Sequence, residues 1–258
     1  MTSGMAGSAG GGRAPVLILG GTGEARALAR SLADLDVPIV SSLAGRVRDP
    51  ALPVGEVRIG GFGGPAGLVD YLRTHRVRAV VDATHPFAAG MSASAAAACA
   101  AAGVPLLRLA RPGWADHPLA GSWQWADGPA EAVQAAAGHR VLLTTGRRTL
   151  SEFTALVAPF VLVRLVDPVT TPLPAGWSVL TSRGPYTVPG EVALLHDHRI
   201  EVLVTKDSGG AMTEPKLLAA QQLGARVVIL RRPAADMGVP AVVSVADSVA
   251  WVLGTIAG

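Results

Sequence analysis

The run Gly20-Gly21-Thr22-Gly23-Glu24-Ala25 carries the clearest chemical signal in this chain, because its glycines let backbone N–H groups approach a ligand closely. A helix opening there points the positive end of its dipole at the same place, which is the chemistry of phosphate binding. Gly21-x-Gly23 begins the spacing of a dinucleotide fingerprint, but Arg26 stands where a third glycine is expected. A Walker-type loop is excluded, since no Gly-Lys-Ser/Thr occurs and the lysines are Lys206 and Lys216. A little further on, an NAD-binding protein would place an acidic residue for the ribose hydroxyls. This chain instead has Ser41, Ser42 and Arg46, two hydroxyls and a guanidinium that suit the extra phosphate of NADP. A charge-assisted hydrogen bond of that kind contributes roughly 1.5–3 kcal/mol.

These groups need a frame. Val16 to Leu19 is a short apolar run that reads as a strand covered on both faces, followed by a helix from Ala25 to Ala33 and a second strand from Val37 to Val40. The alternation continues with a strand at 54–59, the glycine turn Gly60 to Gly64, a helix at 66–74, a strand at 77–81, a helix at 86–102 and a strand at 104–109. Periodicity stops between Arg111 and Gly121, where Pro, Gly, His and Trp accumulate. It restarts with a helix at 129–137, a strand at 140–143, a helix at 150–157 and strands near 160–165 and 177–180. A strand at 200–204, a helix at 214–223, a strand at 226–230 and a last helix at 247–256 complete the pattern. Strict alternation predicts an α/β protein of two Rossmann-like three-layer domains, with mainly parallel sheets and a cleft between them. Residues 1–14 read as a disordered tail, 15–112 as the nucleotide-binding domain and 122–258 as the second domain. Ligands gather at the carboxyl ends of parallel strands, and the polar runs obey that rule. Asp82 to Pro86, Thr144 to Arg147, Ser182 to Pro185 and Thr205 to Gly210 each follow an apolar strand.

Composition narrows the function. Half of the 258 residues are apolar, enough for two cores, and a net charge of +3 admits an anionic ligand. Without a basic run or a basic patch interleaved with aromatics, small anions fit better than nucleic acid. Cys99 is the lone cysteine, so disulfides within the chain are excluded and thiolate metal sites disfavoured, in keeping with a reducing, cytoplasmic setting. Residues 1–14 lack the apolar core of a signal peptide, and Ala88 to Ala102, interrupted by Ser92 and Ser94, reads as a packed helix and not a membrane span. His196-Asp197-His198 reads as a solvated helix end, because residues two apart on a helix do not share a face, so no metal is expected. Neither Tyr71 nor Tyr186 has a lysine four residues on, and no Gly-x-Ser-x-Gly elbow occurs.

Taken in order, the motifs resemble the precorrin-6A reductase family of cobalamin (vitamin B12) biosynthesis. The likeness runs from Val16 to Pro233 and rests on Gly20 to Ala25, Asp82-Ala-Thr-His-Pro-Phe-Ala88, Pro105 with Arg108, Arg111-Pro112 and Trp114. It continues through Thr145-Gly146-Arg147, Arg183-Gly184-Pro185, Lys206-Asp-Ser-Gly-Gly210, Lys216 and Arg232-Pro233. The resemblance implies NADPH on the first domain, a tetrapyrrole in the cleft, and reduction of one ring double bond of precorrin-6A to give precorrin-6B. It further implies that Gly20, Gly21, Thr22, Gly23, Glu24 and Ala25 hold the pyrophosphate, that Ser41, Ser42 and Arg46 hold the ribose phosphate, and that Gly60, Gly61 and Phe62 border the adenosine. Asp82, Thr84 and His85 fall beside the nicotinamide as catalytic candidates. With Pro86 at the first position of the next helix, His85 is expected to be a neutral, hydrogen-bonding histidine. The carboxylates of the substrate call for cations and N–H donors: Arg111, Arg147, Arg183, Lys206, Asp207, Ser208, Gly209, Gly210 and Lys216 are the candidates. Arg147 and Lys206 lead, each following an apolar strand beside glycines, whereas a structural role is as good a reading for Arg111 and Lys216, and Asp207 is expected to orient Lys206. A cobalt-bearing substrate, or a non-catalytic two-lobed nucleotide-binding protein, is the alternative. A methyltransferase would want a carboxylate where Ser41-Ser42 stands. One chain does not reveal its oligomeric state, and a monomer is compatible with all of this.

Overall fold

The structure, a computed structural model, describes residues 13–45, 52–169, 172–233 and 238–257. Arg46 and most of the tail at 1–14 therefore lie outside the described residues. The first half lays down β1 (Val16–Leu19), α1 (Gly23–Ala33), β2 (Ile39–Leu43), β3 (Glu56–Ile59), α2 (Gly64–Thr74), β4 (Ala79–Asp82), α3 (Ala89–Ala102) and β5 (Leu106–Leu109). The chain then crosses to a second lobe of β6 (Gln124–Ala126), α4 (Pro129–Ala136), β7 (Arg140–Leu143), a 3-10 helix (Arg147–Phe153), β8 (Phe160–Leu165) and β9 (Trp177–Thr181). That lobe continues with α5 (Val188–Asp197), β10 (Val202–Lys206), α6 (Pro215–Leu223) and β11 (Arg226–Leu230), before β12 (Ala241–Val242) and α7 (Val245–Ala257).

Two six-stranded sheets result, in the orders β12-β5-β4-β1-β2-β3 and β6-β11-β10-β7-β8-β9, every pairing parallel. The apolar runs at strand centres follow from this, since parallel strands are covered on both faces. In the first lobe Val16, Ile18 and Val81 meet Leu28 and Leu32 of α1 and Val252 of α7. On the opposite face Leu17, Leu19 and Val80 meet Leu68 and Leu72 of α2 and Ala95, Ala98 and Cys99 of α3.

The end of the chain departs from the division read off the sequence. Residues 241–257, expected in the second domain, complete the first: β12 pairs with β5, and Ala241 and Val242 lie in register with Arg108 and Leu109. The physical reason is an open sheet edge. β5 has a row of unpaired N–H and C=O groups that β12 satisfies, and α7 buries its apolar side against α1 and β4. Conversely, β6, which follows β5 in sequence, pairs with β11 in the second sheet. Two helices also differ from expectation. The helix expected at 86–102 begins at Ala89, and the one expected at 150–157 is a 3-10 helix. The Thr149 hydroxyl donates to the carbonyls of Thr145 and Gly146, a local bond that competes with regular α-helix.

Candidate active site

The glycine turn lies where the first sheet reverses direction, between β1 and β4. The Gly20 N–H donates to the Ser42 carbonyl at 3.0 Å, which ties the turn to the end of β2. Gly21 has φ +110°, and a Cβ there would meet nothing within 4 Å, so the space beside it is open to a ligand. Thr22 caps α1: its hydroxyl accepts from the Ala25 N–H at 3.1 Å and donates to the Ala83 carbonyl at 2.8 Å. That hydroxyl is engaged within the protein, which leaves the backbone of the turn as the ligand-facing part.

The close approach for which the fingerprint reserves its third glycine occurs one residue earlier than the sequence register implied. A Cβ on Gly20 would stand 3.4 Å from the Cβ of buried Ala25, so the working pattern is Gly20-x-Thr22-x-x-Ala25. Arg26 is thereby released from helix–strand packing and lines a cavity, a position that sequence reasoning missed. This cavity, about 330 Å³, is walled by Gly20, Gly21, Ala25, Arg26, Ser41, Leu43 and Pro53 of the first lobe and by Val166, Arg183, Gly184, Tyr186, Met212 and Thr213 of the second. Ser41 is part of this wall, and its hydroxyl is buried without a hydrogen-bond partner among the described residues. Ser42 takes the other side of the strand, where Arg58 Nη1 lies 3.5 Å from its Oγ. Arg58 donates to the carbonyls of Gly60 and Gly61, each at 2.6 Å, and lies 3.8 Å over the Phe62 ring, so that turn is braced by a residue the sequence did not single out. Gly60, Gly61 and Phe62 are not part of the cavity wall.

At the end of β4, Asp82 is buried and its Oδ1 accepts from the N–H and hydroxyl of Thr84, at 3.1 and 2.7 Å. Thr84 and Pro86, with Arg108, Arg111 and Arg232, enclose a second, water-sized cavity of about 20 Å³. The Nδ1 of His85 accepts from the Phe87 N–H at 3.2 Å. Its pKa is pushed down to about 3 by burial and by the nearby cations Arg111, Lys206, Arg232 and Lys216. The histidine is neutral, as expected, but the helix N-terminus is not the reason: Pro86 lies in a turn ahead of α3.

The lobes are fastened by charged groups from both crossovers. Arg111 donates through Nε to the Ser208 carbonyl at 2.6 Å and pairs through Nη1 with Glu24 at 3.0 Å. Arg232 donates to the carbonyls of Asp207, Arg111 and Pro112 at 2.9, 2.8 and 3.0 Å. The Asp207 carboxylate accepts from the Trp114 N–H at 2.7 Å and meets Arg232 at 3.3 Å. Asp207 thus serves the junction and does not orient Lys206, and Arg111 and Glu24 are partners in the same junction. Gly209 is required there, because at φ +65° an added Cβ would lie 2.0 Å from the Pro112 carbonyl oxygen.

Lys206, at the end of β10, is half-buried with its ammonium 4.9 Å from the Phe87 ring centroid, and burial lowers its pKa to about 8. Lys216 is enclosed, donates to the Thr144 hydroxyl at 3.2 Å, and has its pKa lowered to about 7 by burial and Arg164. Its amine is held inside the second lobe. Below it, Arg164 forms a buried ion pair with Glu191 and lies 4.1 Å over the Tyr186 ring. Arg147 is exposed at the turn after β7, and Arg183 lies on the wall of the larger cavity. His196 and Asp197 stand exposed at the end of α5, and no group of three His, Cys, Asp or Glu suited to a metal occurs among the described residues.

Two facing doubly wound sheets, with a glycine turn at the switch point of one and an interlobe cavity beside it, place the chain among two-domain Rossmann-like proteins. Its family is more specific. The chain belongs to the precorrin-6x reductase CbiJ/CobK family, whose model matches residues 15–253. It is 50% identical to the precorrin-6A reductase of Rhodococcus erythropolis, over 93% of this chain and 98% of that one. It is 33% identical to the cobalt-precorrin-6A reductase of Salmonella typhimurium, over 84% and 87% of the two chains. A solved structure described as CobK precorrin-6A reductase superposes with a TM-score of 0.86 at 42% identity, covering 94% of this chain and 97% of that one.

Proposed function

We propose that this protein reduces one ring double bond of precorrin-6A with NADPH, giving precorrin-6B, and that it does so in the cytoplasm. The observation that carries the reading is the cavity in which the open glycine turn of one lobe faces the other lobe, in a chain that belongs to this family of reductases. The higher identity to a relative named for the metal-free substrate, 50% against 33%, favours that substrate over its cobalt-bearing counterpart.

The residues present suit a phosphorylated dinucleotide, since Gly21 leaves an open cradle ahead of α1 and Ser41 stands in the wall of the same cavity. Gly20 to Ala25 hold the pyrophosphate, Ser41, Ser42 and Arg46 hold the ribose phosphate, and Gly60 to Phe62 border the adenosine. Bound there, NADPH supplies the hydride. Asp82 fixes Thr84, and Thr84 with neutral His85 lines the end of β4 toward the nicotinamide. With a pKa of about 3, His85 acts there by hydrogen bonding and not as an imidazolium acid. Lys206 and Arg147 receive the substrate carboxylates, while Arg111, Asp207 and Arg232 keep the lobes in register, which sets the reacting groups at a fixed distance.

Anaerobic incubation with precorrin-6A and either NADPH or NADH tests the reading, by following nicotinamide oxidation and the absorption of the macrocycle. Substrate-dependent oxidation of NADPH with a two-electron-reduced product is expected. Turnover of the cobalt-bearing substrate alone would move the assignment to that substrate, and binding without turnover of either would favour the non-catalytic reading. Arg46→Ala is expected to weaken NADPH about tenfold while leaving NADH nearly unchanged; equal loss of both would remove Arg46 from the ribose phosphate.

A further inference from the structure

Arg26 has no part in the function described so far. Its guanidinium is half-buried on the first turns of α1, in the wall of the 330 Å³ cavity, and has no hydrogen-bond or ion-pair partner among the described residues. Its Nη2 stands 3.9 Å from the point where a Cβ on Gly23 would sit, so the group folds back over the glycine turn and not out along the helix. A partly desolvated cation without an acceptor is unfavourable, and no described residue supplies a carboxylate to it. Across the same cavity stands Arg183, on the loop that follows β9. Two arginines from different lobes thus line a space bounded by the open face of Gly21. An anion with several acceptor oxygens supplies the acceptor that Arg26 lacks, in a space that Arg183 also lines.

We propose that Arg26 and Arg183 grip a phosphate of the dinucleotide from opposite lobes, so that the second lobe completes the cofactor site. Arg183 then belongs to the cofactor and not to the tetrapyrrole, and the nucleotide is held by both lobes at once. This rests on the NADPH reading above. The phosphate concerned is the pyrophosphate or the ribose phosphate, and the two are distinguished by the cofactor used.

The test is calorimetric titration of the full chain with NADPH and with NADH, without tetrapyrrole, for the wild type, Arg26→Gln, Arg183→Gln and the double variant. Each single change is expected to weaken binding about tenfold, and the double change by less than the product, because both groups act on one phosphate. Equal loss for both nucleotides assigns the pyrophosphate, and loss confined to NADPH assigns the ribose phosphate; either supports the grip. A thermal midpoint measured without ligand separates this from a packing role, which would lower the midpoint and leave the two losses independent. Arg26→Lys answers the same question if the glutamine variant does not fold, keeping the charge while losing the bidentate geometry. Unchanged affinity for both nucleotides in Arg26→Gln overturns the proposal, as does unchanged affinity for both in Arg183→Gln. A wild type that binds neither nucleotide overturns the NADPH reading itself, a different result from a wild type that binds and variants that match it.

Discussion

The two lobes share a frame and differ in what they place on it. In the first, Leu19 of β1 pairs with Ser42 and Asp82; in the second, Leu143 of β7 pairs with Val163 and Val204. Gly20 to Thr22 and Thr144 to Gly146 therefore occupy matching places, as do Ala83-Thr84 and Thr205-Lys206. After the first turn comes α1 with a Thr22 cap, which leaves open space and helix N–H groups for an anion. After the second comes a 3-10 helix, and the floor beneath holds Lys216, Arg164 and Glu191. A single architecture yields a nucleotide cradle when glycine and a capped helix fill the switch point. It yields a charged platform when threonines, a buried lysine and an ion pair fill it.

The largest effect should come from the platform. Glu191→Ala leaves Arg164 buried and unpaired, which costs about 3–5 kcal/mol of stability. Urea unfolding followed by tryptophan emission reports it, since Trp114, Trp123, Trp125 and Trp177 lie in or beside the second lobe. Replacing both partners, Arg164→Met with Glu191→Leu, should recover much of the loss. The cradle should respond in the opposite way. Gly21→Val fills open space, so NADPH affinity should fall about a hundredfold in a binding titration, while stability loses only the strain of a positive φ, about 1–3 kcal/mol. A smaller effect is expected from Lys206→Met, which should raise the KM for the tetrapyrrole about tenfold and leave NADPH affinity alone. In the wild type the same contact should weaken as pH rises through about 8, where Lys206 loses its proton.

Lys216 gives the most specific test. Its pKa, lowered to about 7 in the folded protein, lies below that of the unfolded chain, so between these values the unfolded state binds more protons and stability rises with pH. Relative to Lys216→Met, the wild type should therefore gain about 2–3 kcal/mol between pH 6 and 9. A difference that is flat with pH would mean that the lysine keeps its proton in the folded protein over this range, or is not enclosed.

Much of this was legible in the sequence, for local reasons. Val16 to Leu19 followed by glycines announces a buried strand and a turn, and the polar runs that hold Thr84, His85, Arg147 and Lys206 do follow strands β4, β7 and β10. What escaped depended on neighbours distant in sequence. β6 and β12 are three and two residues long, too short for any period, and their partners are settled by open sheet edges. Arg26 was hidden by a fingerprint counted from Gly21, because the glycine that touches the helix is Gly20, and the sequence does not show which of two adjacent glycines makes that contact. Arg111 and Asp207 look like substrate groups by type and position, and only the return of Arg232 from the second crossover makes them a junction.

The exchange of edge strands also bears on how the protein is made. The first lobe begins with β1, made before the second lobe, yet its sheet waits for Ala241–Val242 and its α1 face waits for α7. While the intervening lobe is translated, β5 remains an uncovered edge and the bed of α7 an uncovered apolar surface. The lobe that carries the glycine turn is therefore completed last, although its turn is made before the second lobe. A chain stopped between residues 207 and 240 contains every residue proposed to touch a ligand and still lacks a finished fold to hold them.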